Sequence, residues 1–132
     1  MDYATTDNSA TLADSDYVAN SGTLNFAGTT GEVQTITVVV NGDTTVELDE
    51  AFLVDISNLS NNFASNLTIT KSQGNGTITN DDVASLSVDD VTVTEANSGI
   101  VNAVFTVTLT GSTTAPFTVD YITSDNLSLI HI

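Results

Sequence analysis

The chain has 132 residues, enough for one ordinary domain with a core, and carries 17 acidic residues against a single lysine, Lys71, for a formal charge of −16. That balance excludes nucleic acid and anionic membrane surfaces as partners, because both are gripped through Lys and Arg. With no cysteine, disulfides and thiolate metal sites are excluded as well, which mildly favours a bacterial or cytosolic origin.

In chain order, Met1 to Thr5 reads as a strand with Met1 and Tyr3 on one face, and Asp7-Asn8-Ser9 as a turn. No export signal is expected where Met1-Asp2-Tyr3 enters a strand-like run at once, and no apolar run is long enough for a membrane-spanning helix. Thr11 to Asn20 is predicted as a loop feeding a short strand, with Asp14 and Asp16 organising it through local hydrogen bonds. Gly22 to Phe26 alternates with Leu24 and Phe26 inward, and Val33 to Val40 is the clearest strand, Ile36, Val38 and Val40 sharing a face.

Asn41 to Phe52 follows, with Asp43, Glu47, Asp49 and Glu50 set between two strands. Beyond it Phe52, Val54 and Ile56 point one way, and Asp55 and Ser57 the other. Asn58 to Asn66 is an irregular loop, and Gly76 to Thr79 a short strand ending in Asn80-Asp81-Asp82. Leu86-Ser87-Val88 and Val91 to Thr94 lead to Glu95, and Asp89-Asp90 between them reads as a solvated turn. Val101 to Leu109 is a long strand with Phe105, Val107 and Leu109 on one face, and Pro116 opens a last one with Phe117, Val119 and Tyr121. Tyr3, Tyr17, Phe26, Phe52, Phe105 and Tyr121 are expected in the core. No segment sustains a period of 3.6, so the expected fold is all-β, an antiparallel Ig-like β-sandwich.

Met1-Asp2-Tyr3-Ala4-Thr5-Thr6-Asp7-Asn8 matches Val119-Asp120-Tyr121-Ile122-Thr123-Ser124-Asp125-Asn126 at an offset of 118 residues, about one sandwich domain. The physical reading is tandem repeats cut out of phase. Residues 1–82 would be the later strands of one repeat and residues 84–126 the opening strands of a second, which either stay separate or dock onto the first. Residues 127–132 do not continue the repeat; they read as an off-pattern tail in which the lone His131 is incidental.

Carboxylates crowded into a turn repel one another unless a cation sits among them. Taken alone, the 43–50 stretch reads equally as a solvated turn or as such a site. The available donors are carboxylates and carbonyls, which suit calcium; zinc and copper prefer imidazole or thiolate, and magnesium demands tighter octahedral geometry. The spacing is not that of an EF-hand, because the twelve-residue loop with its central glycine is missing.

The ordered segments Asp2 to Asp7, Ser15-Asp16-Tyr17, Ser21 to Phe26, Gly42 to Asn58 and Gly76 to Asp82 together resemble a Calx-beta repeat. Val91 to Glu95 resembles the opening of a second copy. The family is a calcium-binding β-sandwich found in sodium–calcium exchangers, integrin β4 and bacterial surface proteins. The resemblance implies calcium ligands at Asp7, at Asp43, Glu47 and Glu50 with the Thr45 carbonyl, and at Asp81 and Asp82. In the second copy it implies Glu95 and Asp125, while the first copy's own opening glutamate would precede residue 1. Gly42, Thr44 and Asn80 stand where the most acidic members carry aspartates, so fewer or weaker ions are expected.

The resulting expectation is a non-catalytic, calcium-dependent module of an extracellular or cell-surface, bacterial tandem-repeat protein. It would serve adhesion or act as a stalk, with calcium ions, neighbouring repeats, and a protein or glycan as partners. A regulatory sensor on a membrane transporter and a calcium-dependent carbohydrate-binding module stand as alternatives. A glycosidase would need a carboxylate pair such as Asp43 with Glu47 or Glu50, but the chain has no tryptophan and little aromatic surface to stack sugars.

Overall fold

The computed structural model describes residues 1–60 and 66–125. The 127–132 tail with His131, and the middle of the Asn58–Asn66 loop, lie outside the described residues. The fold is all-β, with no α-helix among the described residues.

Its centre is the antiparallel pair β1 (Asp2–Asp7) and β4 (Glu50–Ser57), in register with Asp2 opposite Ser57 and Asp7 opposite Phe52. β2 (Ser21–Thr23) pairs with β1, and β5 (Gln73–Ile78) with β4, so the sheet runs β2-β1-β4-β5 and is antiparallel throughout. β4 alternates as its sequence implies. Phe52 is buried, and Val54 packs with it on the inner face. On the outer face Asp55 accepts hydrogen bonds from the Thr6 hydroxyl at 2.9 Å and from Gln73 Nε2 at 2.8 Å, a polar row across three strands.

The core is the Tyr17 ring stacked on Phe52, centroids 4.9 Å apart and planes 23° from parallel, with Ala10 buried beside them. Val38, Val54 and Ile78 pack around this pair. Phe52 lies over Gly76, its partner in the β4–β5 ladder, where a Cβ would overlap the ring. At the other end of the sheet Met1, Leu24, Phe26, Ile56 and Ile69 line an open cleft of about 790 Å³. Phe26 is half exposed there rather than buried in the core.

Val33 to Val40 is not a regular strand. It is held on one side only, by a bridge between Tyr17 and Val40, by Val18 N–H to the Val39 carbonyl at 2.8 Å, and by Asn20 Nδ2 to the Thr37 carbonyl at 2.6 Å. Ile36 and Val38 turn inward as expected, but Val40 is exposed. A ladder needs a continuous neighbour, and none lies along this segment among the described residues.

Beyond Asp82 the structure thins. β6 (Ser85–Val88) and β7 (Val107–Thr110) form an antiparallel pair, closed by Asp89, whose Oδ1 accepts the Thr106 N–H at 2.7 Å. β8 (Ser112–Thr113) lies parallel to β3 (Thr45–Val46). The long strand predicted from Val101 shrinks to Val107–Thr110, and neither Val91–Thr94 nor Phe117–Tyr121 forms a strand. Phe105 and Tyr121 are 56% and 94% exposed, not core. The reason is missing company. Residues 119–125 repeat the β1 sequence, but β1 has β2 and β4 alongside it, and no strand lies alongside 119–125 among the described residues.

Candidate metal centre

The acidic site sits where β1 ends and β4 begins, at the opposite end of the sheet from the apolar cleft. Backbone and amide contacts assemble it. The Asp43 carboxylate accepts the Thr45 N–H at 2.6 Å, a local turn that starts the stretch. Asn80 then brackets it: Asn80 Oδ1 accepts the Glu47 N–H at 3.0 Å, and the Asn80 N–H reaches Asp49 Oδ1 at 3.0 Å. Asn80 Nδ2 also donates to the Asp82 carbonyl at 3.0 Å, fixing the turn after β5. The side-chain carbonyl of Asn80, which stands where the most acidic family members carry an aspartate, is thus engaged with the Glu47 N–H.

A third segment reaches the site from far away in sequence. The Asn41 N–H donates to the Asp16 carbonyl at 3.0 Å and Asn41 Nδ2 to the Ser15 carbonyl at 2.6 Å. Ser15 has φ of 70°, which helps turn Asp16 toward the acidic stretch. Asp16, Glu47 and Glu50 each place a carboxylate oxygen within 4.8 Å of the others. Asp16 is the member of this cluster that sequence reasoning missed. Its local role does hold, since its Oδ2 accepts the Thr11 N–H at 2.6 Å and Thr11 Oγ1 donates to Asp14 at 2.9 Å. Its proximity to Glu50 depends on the contact with Asn41, which no local pattern reveals.

Of the residues implied by resemblance, Asp43, Thr45, Glu47, Glu50, Asp81 and Asp82 line one cleft of about 60 Å³, together with Asp16 and Asn80. Asp7 stands behind the Asp16 loop. Its Oδ1 accepts the Tyr17 hydroxyl at 2.6 Å and the Leu12 N–H at 3.2 Å, so it orients the core tyrosine. Burial first, and Asp7 second, push the Tyr17 hydroxyl up to about 12. Glu95 and Asp125 are exposed in the 84–125 region, away from this cleft.

The electrostatics match the geometry. Desolvation and then the nearby Asp43, Asp16, Asp14 and Asp82 raise the Glu47 carboxyl above its ordinary value. Glu50 is raised by desolvation and then by Asp16 and Glu47. Such a group of oxygens can hold a hard divalent cation, which would replace mutual repulsion with attraction. The cleft is far below the 300–1,000 Å³ or so of a small-molecule pocket.

The family model for the Calx-beta domain matches residues 1–82. No curated protein and no solved structure matches the chain.

Proposed function

Since the chain belongs to the Calx-beta domain family, a family of non-catalytic calcium-binding β-sandwich modules, we propose that it binds calcium through Asp16, Glu47 and Glu50, with Asp43, Asp81 and Asp82 completing the rim. The observation that carries this reading is the convergence of three carboxylates within 4.8 Å from segments more than thirty residues apart. The donor set is all oxygen, partly from flexible side chains, which suits six to eight ligands with waters filling the balance. Bound calcium supplies positive charge that these carboxylates otherwise lack, and so fixes the Asp16 loop, the acidic stretch and the turn at Asp81-Asp82 to one another.

The wider setting we propose is an extracellular or cell-surface tandem array serving adhesion or acting as a stalk, with neighbouring repeats as its standing partners. Two features support it. One is the repeat of Met1–Asn8 at Val119–Asn126. The other is the pairing of β8 with β3, which sets the second unit against the stretch that carries Asp43 and Glu47. An ion there would restrain the joint.

Isothermal calorimetry and thermal melting, in calcium and in chelator, test the binding. Calcium at a hundredfold excess over its dissociation constant should stabilise the fold by about 2.7 kcal/mol. No heat of binding together with an unchanged melting temperature would sink the proposal.

A further inference from the structure

We propose that Asn41 is a site of spontaneous deamidation, and that its conversion releases Asp16 from the acidic cleft. The reaction needs only water. The Gly42 backbone nitrogen attacks the side-chain carbonyl carbon of Asn41, a C–N bond forms, the Gly42 nitrogen gives up its proton, and the side-chain nitrogen leaves as ammonia. Water then opens the resulting five-membered succinimide at one of its two carbonyls. One opening leaves aspartate at 41. The other leaves isoaspartate, in which the main chain runs on through the former side chain. Nothing is oxidised or reduced, and one neutral amide becomes one carboxylate.

The sequence has two Asn-Gly pairs, Asn41-Gly42 and Asn75-Gly76. A following glycine favours ring closure because it has no Cβ to obstruct the approach and its backbone turns easily. The structure separates the two pairs. Asn75-Gly76 lies within β5, in register with Leu53 and Phe52 of β4, and the Phe52 ring covers the position where a Cβ of Gly76 would stand. An extended, paired backbone holds each nitrogen away from the preceding side-chain carbon, so closure there requires the ladder to open. Asn41-Gly42 lies between the Val40 bridge and β3, in no strand. Both residues are exposed, and nothing lies within 4 Å of the Cβ position of Gly42. The backbone has room to turn there, and water reaches it for the second step.

The same residue holds Asp16 in place. Asn41 Nδ2 donates to the Ser15 carbonyl at 2.6 Å, and the Asn41 N–H to the Asp16 carbonyl at 3.0 Å. Ser15 has φ of 70°, a conformation that costs a non-glycine residue free energy and persists only where its surroundings hold it. Deamidation replaces the amide donor with carboxylate oxygens, which have no proton to donate and repel the Ser15 carbonyl. Isoaspartate also adds a methylene to the main chain between position 41 and Asp43. Either product frees the Ser15-Asp16 turn, and Asp16 leaves Glu47 and Glu50, with which it forms the carboxylate cluster. The chemistry at Asn41 stands without the calcium reading; its effect on ion binding rests on that reading.

The test incubates the full 132-residue chain in chelator at mildly alkaline pH and follows both Asn-Gly pairs by peptide mass mapping. Asn41 should convert about tenfold faster than Asn75, and Gly42→Ala should slow conversion at 41 by about as much. Equal rates at the two pairs, or a rate at 41 untouched by Gly42→Ala, overturn the assignment of the site. Hydrogen exchange then compares fresh and converted chains. The Asn41 amide, which donates to the Asp16 carbonyl, should lose its protection on conversion, and Asn41→Asp should show the same loss. An Asn41 amide as protected as before overturns the release of Asp16. Calorimetry with calcium completes the comparison. Conversion should weaken binding several-fold, and binding that is unchanged or tighter would show position 41 serving the ion in its new form and overturn the predicted loss. A fresh chain that binds no calcium removes the metal reading alone, and the mapping and exchange results still decide the inference.

Discussion

Residues 1–82 and residues 84–125 have much the same strand-forming composition and very different structures. The first region holds a four-stranded sheet and, among the described residues, all three that are buried, Ala10, Tyr17 and Phe52. The second holds one short ladder, and its large apolar side chains face solvent. The sharpest contrast is between the matched segments themselves. Asp2-Tyr3 lies in a central strand, while Asp120-Tyr121 lies in none. Alternating valine and threonine make a segment able to be a strand; a neighbouring ladder makes it one.

The largest effect that could break this contrast is loss of an aromatic. Phe52→Ala removes half of the stacked core and should cost about 3–5 kcal/mol. Phe105→Ala, at a position 56% exposed, should change monomer stability by about 0.5 kcal/mol or less, as surface substitutions do. Urea midpoints of the two variants, measured at a concentration where the chain is monomeric, would decide. Comparable losses would mean that the 84–125 region is packed in solution.

Calcium should widen the difference. The ligands we propose all belong to the first region, so the ion should protect amides of 43–52 and 78–82 from hydrogen exchange and leave 91–106 unchanged. Asp16→Asn should remove that protection, whereas Glu95→Gln should not. Equal protection with Asp16→Asn in place would take Asp16 out of the ligand set.

Gly76→Ala is the next smaller step. The added methyl overlaps the Phe52 ring, and forcing the two apart should cost about 1–3 kcal/mol. The melting temperature of this variant against Gly42→Ala, where the added methyl meets open space, checks that the penalty comes from contact with the ring. Matching shifts in the two variants would show instead that backbone flexibility is responsible.

The sheet and much of the acidic cleft are legible in the sequence for the same reason. Phe52-Val54-Ile56 against Asp55-Ser57 is a period-2 signal in nearby residues, and Asp43, Glu47 and Glu50 declare themselves by crowding. What could not be read is contact across distance. Asp16 joins the site through a backbone hydrogen bond from Asn41, and Asp7 turns to Tyr17 instead. The 33–40 segment has the strongest strand pattern in the chain yet forms no regular strand, because pattern says nothing of whether a partner lies alongside.

Acidity separates the site from the rest of the first region. Glu47 and Glu50 are raised by desolvation and neighbouring carboxylates. The folded state therefore binds protons there that the unfolded state has released, and ion-free stability falls as pH rises from the ordinary carboxylate value through the raised ones. Asp2 and Glu32 run the other way. Hydrogen bonds from Asn58 and Thr23 lower Asp2, and the Ala27 and Gly28 N–H groups lower Glu32. Their contribution is present above ordinary carboxylate pH and is lost as pH falls through the lowered values. Urea midpoints in chelator should therefore peak near the ordinary carboxylate pH. Saturating calcium should abolish the decline above the peak and leave the acid side in place. An absence of decline above the peak in chelator would mean that neither desolvation nor the neighbouring carboxylates raise Glu47 and Glu50.

The smallest expected effect concerns a place where the two regions touch. Ser112 Oγ lies 3.1 Å from Thr45 Oγ1 and 3.3 Å from the Thr44 carbonyl. Both partners are near solvent, so Ser112→Ala should cost no more than about 0.5–1 kcal/mol in global stability. Its effect on the joint should be larger than that figure suggests, because the neighbouring pairing spans only Thr45–Val46 and Ser112–Thr113. Fluorescent labels on cysteines placed at Asn75 and Asn102 would report the distance between regions. In the parent chain calcium should narrow the distribution of distances, since the ion stiffens the stretch to which β8 is paired. In Ser112→Ala the same calcium should leave the distribution broad while binding with unchanged heat. Narrowing that survived the substitution would show that the joint is held by the turn through Asp81-Asp82 alone, and the comparison between the two regions would then be one of covalent proximity, with no docking between them.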